Sequence, residues 1–412
     1  MGSTAYSLDH ASQGSLALTS SGGAEGIQPV FKAEGHSVAI VHDWCPSFRG
    51  GERVLAELCR LQGASQVFTL FDFLPDDVKA SHFPGVEFRT SVANRLPFVD
   101  RYYRSLFFAC PFLIEQFDVT EFDAVISSSA AFSRGVITRP DQPHLCYVHS
   151  PIRYAWDEQF SYLSQGRLGY GPRGLLFRYF LHHLRNWDTR TAHGPDIMLA
   201  NSSYVRARIR HIYGRDAEVV FPPVEVGESD YREDKEDYYV TASFLAPYKR
   251  TDLVIEAFNR MPSRKLVVVG DGQQSSRLKA MAGPNIEFTG YLARPSYVRT
   301  VAKAKAMVFA GCEDFGIALA EAQAWGTPLI AFGRGGACDI VRPLDKAERP
   351  TGILFPRQTA DMVRVAVDHF EGSALRMSPA VCRQNALRFS VARFRREIEA
   401  AFERTLALHT RA

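Results

Sequence analysis

A chain of 412 residues with 46% hydrophobic and 23% charged side chains is too long for one ordinary core and reads as a soluble protein of two or three domains. Its 48 basic and 45 acidic residues leave a formal net charge of +3, too balanced for nucleic-acid binding driven by overall charge. Seven scattered cysteines without a C-x-x-C pair argue against a disulfide framework or a zinc site and point to a reducing compartment.

Taken in order, residues 1–35 are rich in Ser, Gly and Ala, with neither a basic segment nor an apolar block of the signal-peptide kind, and are expected to form a disordered leader. No window approaches the roughly 18 apolar residues of a spanning helix, so a cytoplasmic protein is expected. A β-branched run at 37–43 reads as the first buried strand of an α/β domain. Gly50 and Gly51 then precede an amphipathic helix reaching about residue 61, and glycine there lets backbone approach a ligand closely. After a strand at 66–71, residues 94–114 mix arginines with large aromatic side chains. On a helix that mixture fits either a membrane interface or a core face with solvated arginines.

Strands at 123–129 and 145–149 end in small polar residues. Ligands bind outside the carboxyl ends of strands in open α/β sheets, which is where His149 and the loop to Asp157 fall. A basic helix over 174–191, a strand near 196–200, a helix capped by Ser202 or Ser203 and a short strand at 219–221 complete the half. Residues 225–237 are charged and lack apolar periodicity, as in a linker. Strands at 238–242, 265–269, 286–288, 306–310 and 328–332 then alternate with helices at 252–260, 273–282, 294–305 and one starting near Gly316. That alternation predicts a parallel sheet. Helices near 359–371 and 379–387 and a long amphipathic one over 391–407 follow. The chain is thus expected to comprise a leader at 1–35, doubly wound α/β domains at 36–224 and 238–390 joined by the 225–237 linker, and a C-terminal helix within 391–412.

The most informative stretch runs from Glu313 to Glu321. A strand, a glycine turn at Gly316 and a helix start create an anion site, because free N–H groups and the helix dipole favour negative charge there. Glu313 stays on the loop and Glu321 enters the helix, so the two acids would touch different ends of an elongated ligand. Glycine turns at Gly270, Gly272, Gly290 and Gly335-Gly336 gather at the same sheet edge, and Lys249 and Arg250 supply charge for a diphosphate. A G-x-G-x-x-G fingerprint is absent, Ser275 standing at its last position, and so is a P-loop, which disfavours an NAD enzyme and a nucleoside triphosphatase.

Several pieces, in this order and spacing, carry a resemblance: Gly-Gly-Glu-Arg-Val-Leu at 50–55, His-Ser-Pro-Ile-Arg-Tyr-Ala-Trp-Asp at 149–157, Pro-Tyr-Lys-Arg at 247–250, Val-Val-Gly-Asp-Gly at 268–272, Glu-Asp-Phe-Gly-Ile at 313–317 with Glu321, and Gly-Thr-Pro-Leu-Ile-Ala at 326–331. Over residues 38–408 the chain resembles the retaining GT-B glycosyltransferases of the family 4-like, E-x₇-E group, of the bacterial mannosyltransferase type that builds polysaccharides and lipid-linked oligosaccharides. The resemblance implies two Rossmann-like domains facing across a cleft, the first serving the acceptor and the second the nucleotide-sugar, with a C-terminal helix crossing back.

By the same resemblance Glu313 contacts hydroxyls of the donor sugar, Glu321 the ribose, and the backbone at Phe315, Gly316 and Ile317 the sugar or phosphate. Lys249 neutralises the departing diphosphate, with Arg250 as a further cation, and His149 sits beside the anomeric centre. Gly50 and Gly51 approach the phosphates, and the base lies near Gly290 and Tyr291. The donor expected is GDP-mannose, with no cofactor and, for want of a D-x-D motif, no metal. The acceptor expected is a lipid-linked saccharide at the inner face of the cytoplasmic membrane, the protein being peripheral there, and no nucleic acid is involved. One departure stands out: the family's usual arginine, in a pattern like G-R-L, is replaced by Phe244 in Ser243-Phe244-Leu245. A non-catalytic nucleotide-sugar-binding subunit is therefore an alternative. A nucleotide-sugar epimerase is another, disfavoured by the aromatic-basic segment at 95–114.

Overall fold

The computed structural model describes residues 36–165, 169–227 and 230–410. The leader expected at 1–35 and part of the expected linker, residues 228–229, lie outside the described residues. Two fully parallel sheets carry the chain. The first holds β1 (Val38–Cys45), β2 (Gln66–Asp72), β3 (Glu87–Thr90), β4 (Ala124–Ser129), β5 (His144–Val148), β6 (Ile197–Ala200) and β7 (Glu218–Val219). The second holds β8 (Glu236–Ala242), β9 (Leu266–Val269), β10 (Ile286–Gly290), β11 (Ala304–Phe309), β12 (Leu329–Phe332) and β13 (Gly352–Phe355). Strands such as β1, β4, β5 and β9 are buried on both faces, which is why each contains consecutive apolar residues, at 38–41, 124–126, 145–148 and 266–269.

The strand orders are β3-β2-β1-β4-β5-β6-β7 and β10-β9-β8-β11-β12-β13. In each sheet the chain winds outward from its first strand and then returns to pair on that strand's other side, β4 beside β1 and β11 beside β8. Those two junctions are topological switch points, where the loops at the carboxyl ends diverge and leave a crevice. The strands β3 and β13 were not anticipated; both lie at a sheet edge, paired within the sheet only to β2 and to β12. The helix expected to run to 305 stops at Lys303, because Ala304 already pairs with Glu236.

Residues 92–114 differ from the single helix expected. They form short helical turns at Val92–Arg95, Val99–Tyr102, Tyr103–Leu106 and Cys110–Ile114. Pro97 lacks the N–H that a continuing helix needs, and Phe98 holds the left-handed conformation at φ 56°, so the chain must restart there. Among the described residues no helix is long and apolar enough to cross a membrane.

After the second sheet the chain returns to the first. In the helix Val391–Thr410, Phe394, Ile398, Ala401, Phe402 and Thr405 recur on one face and are buried. Phe394 and Phe402 join the core of Ile40, Leu55, Leu58 and Leu145 beneath the first sheet, and Phe394 meets Tyr147 edge-on at 5.8 Å. Outside the core, Arg395 pairs with Glu57 of the helix Gly50–Gln62 at 2.7 Å. Most of the attachment is apolar, so Phe402→Ala should lower the unfolding free energy by ~3–5 kcal/mol, read from urea denaturation, whereas Arg395→Ala should cost less than about 1 kcal/mol.

Candidate active site

The loops at the two switch points face one another across a cleft of about 370 Å³. From the first sheet come Gly50, Gly51 and His149; from the second come Phe244, Lys249 and the run from Glu313 to Leu319. A Cβ on Gly50 would lie 2.9 Å from Cδ1 of Ile317, the movable end of a side chain from the other lobe, whereas one on Gly336 would lie 2.1 Å from the carbonyl oxygen of Phe315, backbone that cannot give way. Glycine is therefore required at 336, and bulk there would displace the Phe315 loop that lines the cleft.

The first-sheet wall is set by Asp43, buried at the end of β1. Its carboxylate accepts hydrogen bonds from the backbone N–H groups of Ala130, Ala131, Phe132 and Ser133 at 2.5–2.7 Å, fixing the chain as it leaves β4. On β4 itself, Ser128 Oγ shares a hydrogen bond with His149 Nε2 at 2.8 Å. Asn201 donates to the His149 carbonyl at 2.9 Å, and the His149 N–H donates to Ser129 at 2.7 Å. The imidazole is thereby held by Ser128, and the backbone that carries it by Ser129 and Asn201. Burial by the cleft walls, followed by repulsion from His42, lowers its pKa to about 3, so it is neutral at ordinary pH.

On the second-sheet wall, Gly316 takes φ 94° and caps the helix Ile317–Ala324, whose first N–H groups have no acceptor within the helix. The ammonium of Lys249 pairs directly with Glu313. Arg250, also in the left-handed conformation at φ 53°, pairs with Asp252 at 3.1 Å. Glu321 is only 4% exposed and lies between Arg53 at 2.7 Å and Arg294 at 2.9 Å. The Phe315 ring is buried against Phe221 and Phe389 at centroid distances of 5.7 and 5.4 Å, so only its backbone is available to the cleft.

The structure therefore brings His149, Lys249, Glu313, Phe315, Gly316, Ile317, Gly50 and Gly51 onto one cleft. Arg250, Gly270, Gly272, Gly290, Tyr291 and Glu321 are not part of its lining. Gly270 and Gly272 are packed under the 243–245 loop, where a Cβ would meet Ser243 and Leu245 backbone at 2.0 and 2.8 Å. Tyr291, 85% exposed, stands just past the end of β10.

A charge cluster that joins the two lobes was not singled out from the sequence. Asp314 accepts from Arg153 at 2.7 Å and from Arg208 at 3.3 Å, and Arg208 also reaches Asp157 at 2.7 Å, which ties the two lobes together. Arg153 and Asp314 sit inside the two most informative motifs, so their positions were in view. Arg208 lies mid-helix in Ser203–Tyr213 with no pattern to mark it.

Folded His149 resists protonation down to about pH 3, whereas the free imidazole titrates near 6.5, so the unfolded chain binds more protons between these limits. Stability should then fall as pH drops below the unfolded value. His149→Gln should make that fall shallower by ~2 kcal/mol between about pH 7 and about pH 5 in urea denaturation; equal slopes would contradict a neutral, enclosed ring.

A family described as "Glycosyltransferase Family 4" matches residues 48–228, and one described as "Glycosyl transferases group 1" matches residues 228–387. A GDP-mannose-dependent alpha-(1-6)-phosphatidylinositol monomannoside mannosyltransferase of Mycobacterium tuberculosis is 28% identical over 211 residues, 43% of this chain and 53% of that protein. A GDP-Man:Man(3)GlcNAc(2)-PP-Dol alpha-1,2-mannosyltransferase of Xenopus laevis is 27% identical over 297 residues, 62% of this chain and 59% of that protein. The chain thus spans a little over half the length of these relatives. Among solved structures, sucrose-phosphate synthase of Thermosynechococcus elongatus superposes with a TM-score of 0.70 at 16% identity, covering 90% of this chain and 100% of the other. Anabaena HepE in complex with UDP-glucose gives 0.63 at 16% identity, covering 89% and 100%. At these identities the structural likeness concerns the fold.

Proposed function

The chain belongs to the GT-B glycosyltransferases of the family 4-like group, and from that premise we propose that it transfers a hexose from a nucleoside-diphosphate donor to a lipid-linked saccharide. The observation that carries the reading is the meeting of His149 with the Lys249–Glu313 pair across a cleft whose far wall is a helix N-terminus. A diphosphate-sugar fits such a wall, with its anion against the free N–H groups and its sugar toward the first lobe.

In this reading Lys249 exchanges its bond with Glu313 for the leaving diphosphate, and stabilisation of that developing charge is the main catalytic term. Glu313, released from the lysine, accepts from sugar hydroxyls. His149, neutral and oriented by Ser128, shares a hydrogen bond with the sugar beside the anomeric carbon. Glu321, buried between Arg53 and Arg294 beside the cleft, takes the ribose hydroxyls when the ligand displaces one of those arginines, and the base extends toward Gly290 and Tyr291. Attack comes from the face the diphosphate leaves, its oxygen accepting the acceptor's proton, so configuration is retained, and in this reading Lys249 rather than a metal meets the leaving charge. GDP-mannose is the donor we assign, supported by the mannosyltransferase relatives and their GDP-mannose dependence.

The acceptor side rests on a second observation. Phe98, Phe112 and Tyr170 are 69%, 63% and 79% exposed, and Arg101, Arg104 and Arg173 in the same two segments are exposed as well. Phe107 meets Phe177 and Phe108 meets Phe180, at 5.2 and 5.6 Å, so the 92–114 turns and the helix Pro172–Thr191 form one surface. Exposed rings among cations suit an anionic headgroup layer, and we assign the protein a peripheral place on the inner face of the cytoplasmic membrane. Phe244 favours one competing reading, a nucleotide-sugar-binding subunit without catalysis.

Transfer assayed with a panel of nucleotide-sugars and a lipid acceptor separates the readings. Lys249→Ala and Glu313→Gln should each lower turnover on the order of 10²–10³-fold with an unchanged circular dichroism spectrum. Turnover equal to that of the unmodified chain in both variants would refute the site. Separately, the double change Phe98→Ser with Phe112→Ser should reduce co-sedimentation with anionic vesicles by about tenfold while leaving the melting temperature within ~2 °C.

A further inference from the structure

The cations around the cleft are mostly neutralised by the protein itself. Lys249 holds Glu313, Arg250 holds Asp252, Arg153 and Arg208 hold Asp314, and Arg53 and Arg294 hold Glu321. Arg49 is different. It immediately precedes the cleft-lining Gly50, is exposed, and makes no ion pair among the described residues. Its guanidinium lies over the ring of Phe244, 5.5 Å from the centroid, and Phe244 is itself a 45%-exposed wall residue of the cleft. An arginine spread on an aromatic face is held in place by its plane while its N–H edges stay open to an anion. Arg49 is carried on the first lobe next to Gly50, which itself lies against Ile317 at the start of the second lobe's anion-favouring helix.

We propose that Arg49 binds the terminal phosphate of the nucleoside diphosphate, with Phe244 as the platform that aims it. This rests on the donor reading above. The base end of the ligand lies toward β10, at the far edge of the second sheet, so the end nearest the first lobe is the terminal phosphate and the sugar attached to it. Lys249 is already shared with Glu313, and a diphosphate carries more charge than one lysine offsets. Arg49 supplies the second cation from across the cleft, and Phe244 takes part in phosphate binding without touching phosphate.

The test is calorimetric titration of the full chain with GDP and GMP, and with UDP and UMP, the better-bound pair being used throughout. Arg49→Ala should weaken the diphosphate about tenfold and the monophosphate less than about twofold, because only the terminal phosphate loses a charged partner. Phe244→Ala, with Arg49 retained but unsupported, should weaken the diphosphate by a smaller factor with the same selectivity. Phe244→Arg in the Arg49→Ala background should restore diphosphate affinity. Unchanged diphosphate affinity in Arg49→Ala, or equal losses for diphosphate and monophosphate, overturns the assignment while leaving the donor reading intact. Failure of the unmodified chain to bind either diphosphate overturns the donor reading and this assignment with it.

Discussion

Parallel strands cannot be joined by tight turns, and everything at the cleft follows from that constraint. Each strand must hand the chain to a crossover, so all the carboxyl-end loops collect on one edge of each sheet. Where the winding reverses, at β1 beside β4 and at β8 beside β11, neighbouring loops part company and leave space. His42, Asp43 and Ser128 belong to the first reversal; Phe244 and Glu313 belong to the second. The candidate site is what lies between two such gaps set face to face.

Within that space, charge is balanced locally. Buried or half-buried carboxylates at 313, 314 and 321 each hold at least one cation, Asp314 holding two from the opposite lobe and Glu321 one. Such pairs contribute little net stability, since the desolvation of both partners offsets most of their attraction. Their effect here is geometric, because a carboxylate held by arginines from two lobes defines the distance between those lobes. A ligand that displaces one partner must return an equivalent charge.

Much of this was legible in the residues. The strand-helix alternation forecast both parallel sheets, and the run from Glu313 through Gly316 forecast a loop followed by a helix cap, found at φ 94°. The sequence was less able to foretell events that depend on distant partners. Short edge strands such as β13 become strands only because β12 offers them a ladder. The 92–114 segment breaks into separate turns at Pro97 and Phe98, although its composition suited one helix. Arg208 looks like any helical arginine until the fold sets Asp314 beside it. Phe244 reads as the loss of a cation, and only the three-dimensional neighbourhood brings Arg49 over its ring.

The return of the C-terminal helix to the first sheet means that the chain crosses between lobes twice. The two crossings run side by side: Val224 pairs with Ser390 in a parallel bridge, and the Val224 N–H donates to Phe389 at 2.8 Å. A single strand of linker would act as a universal joint, free to twist and slide as well as bend. Two strands bonded together act as a door hinge, which resists twist and translation and leaves chiefly one rotation, the one that opens and shuts the cleft. Alignment of the facing walls is then inherited from the hinge each time the lobes come together, and need not be found again by search.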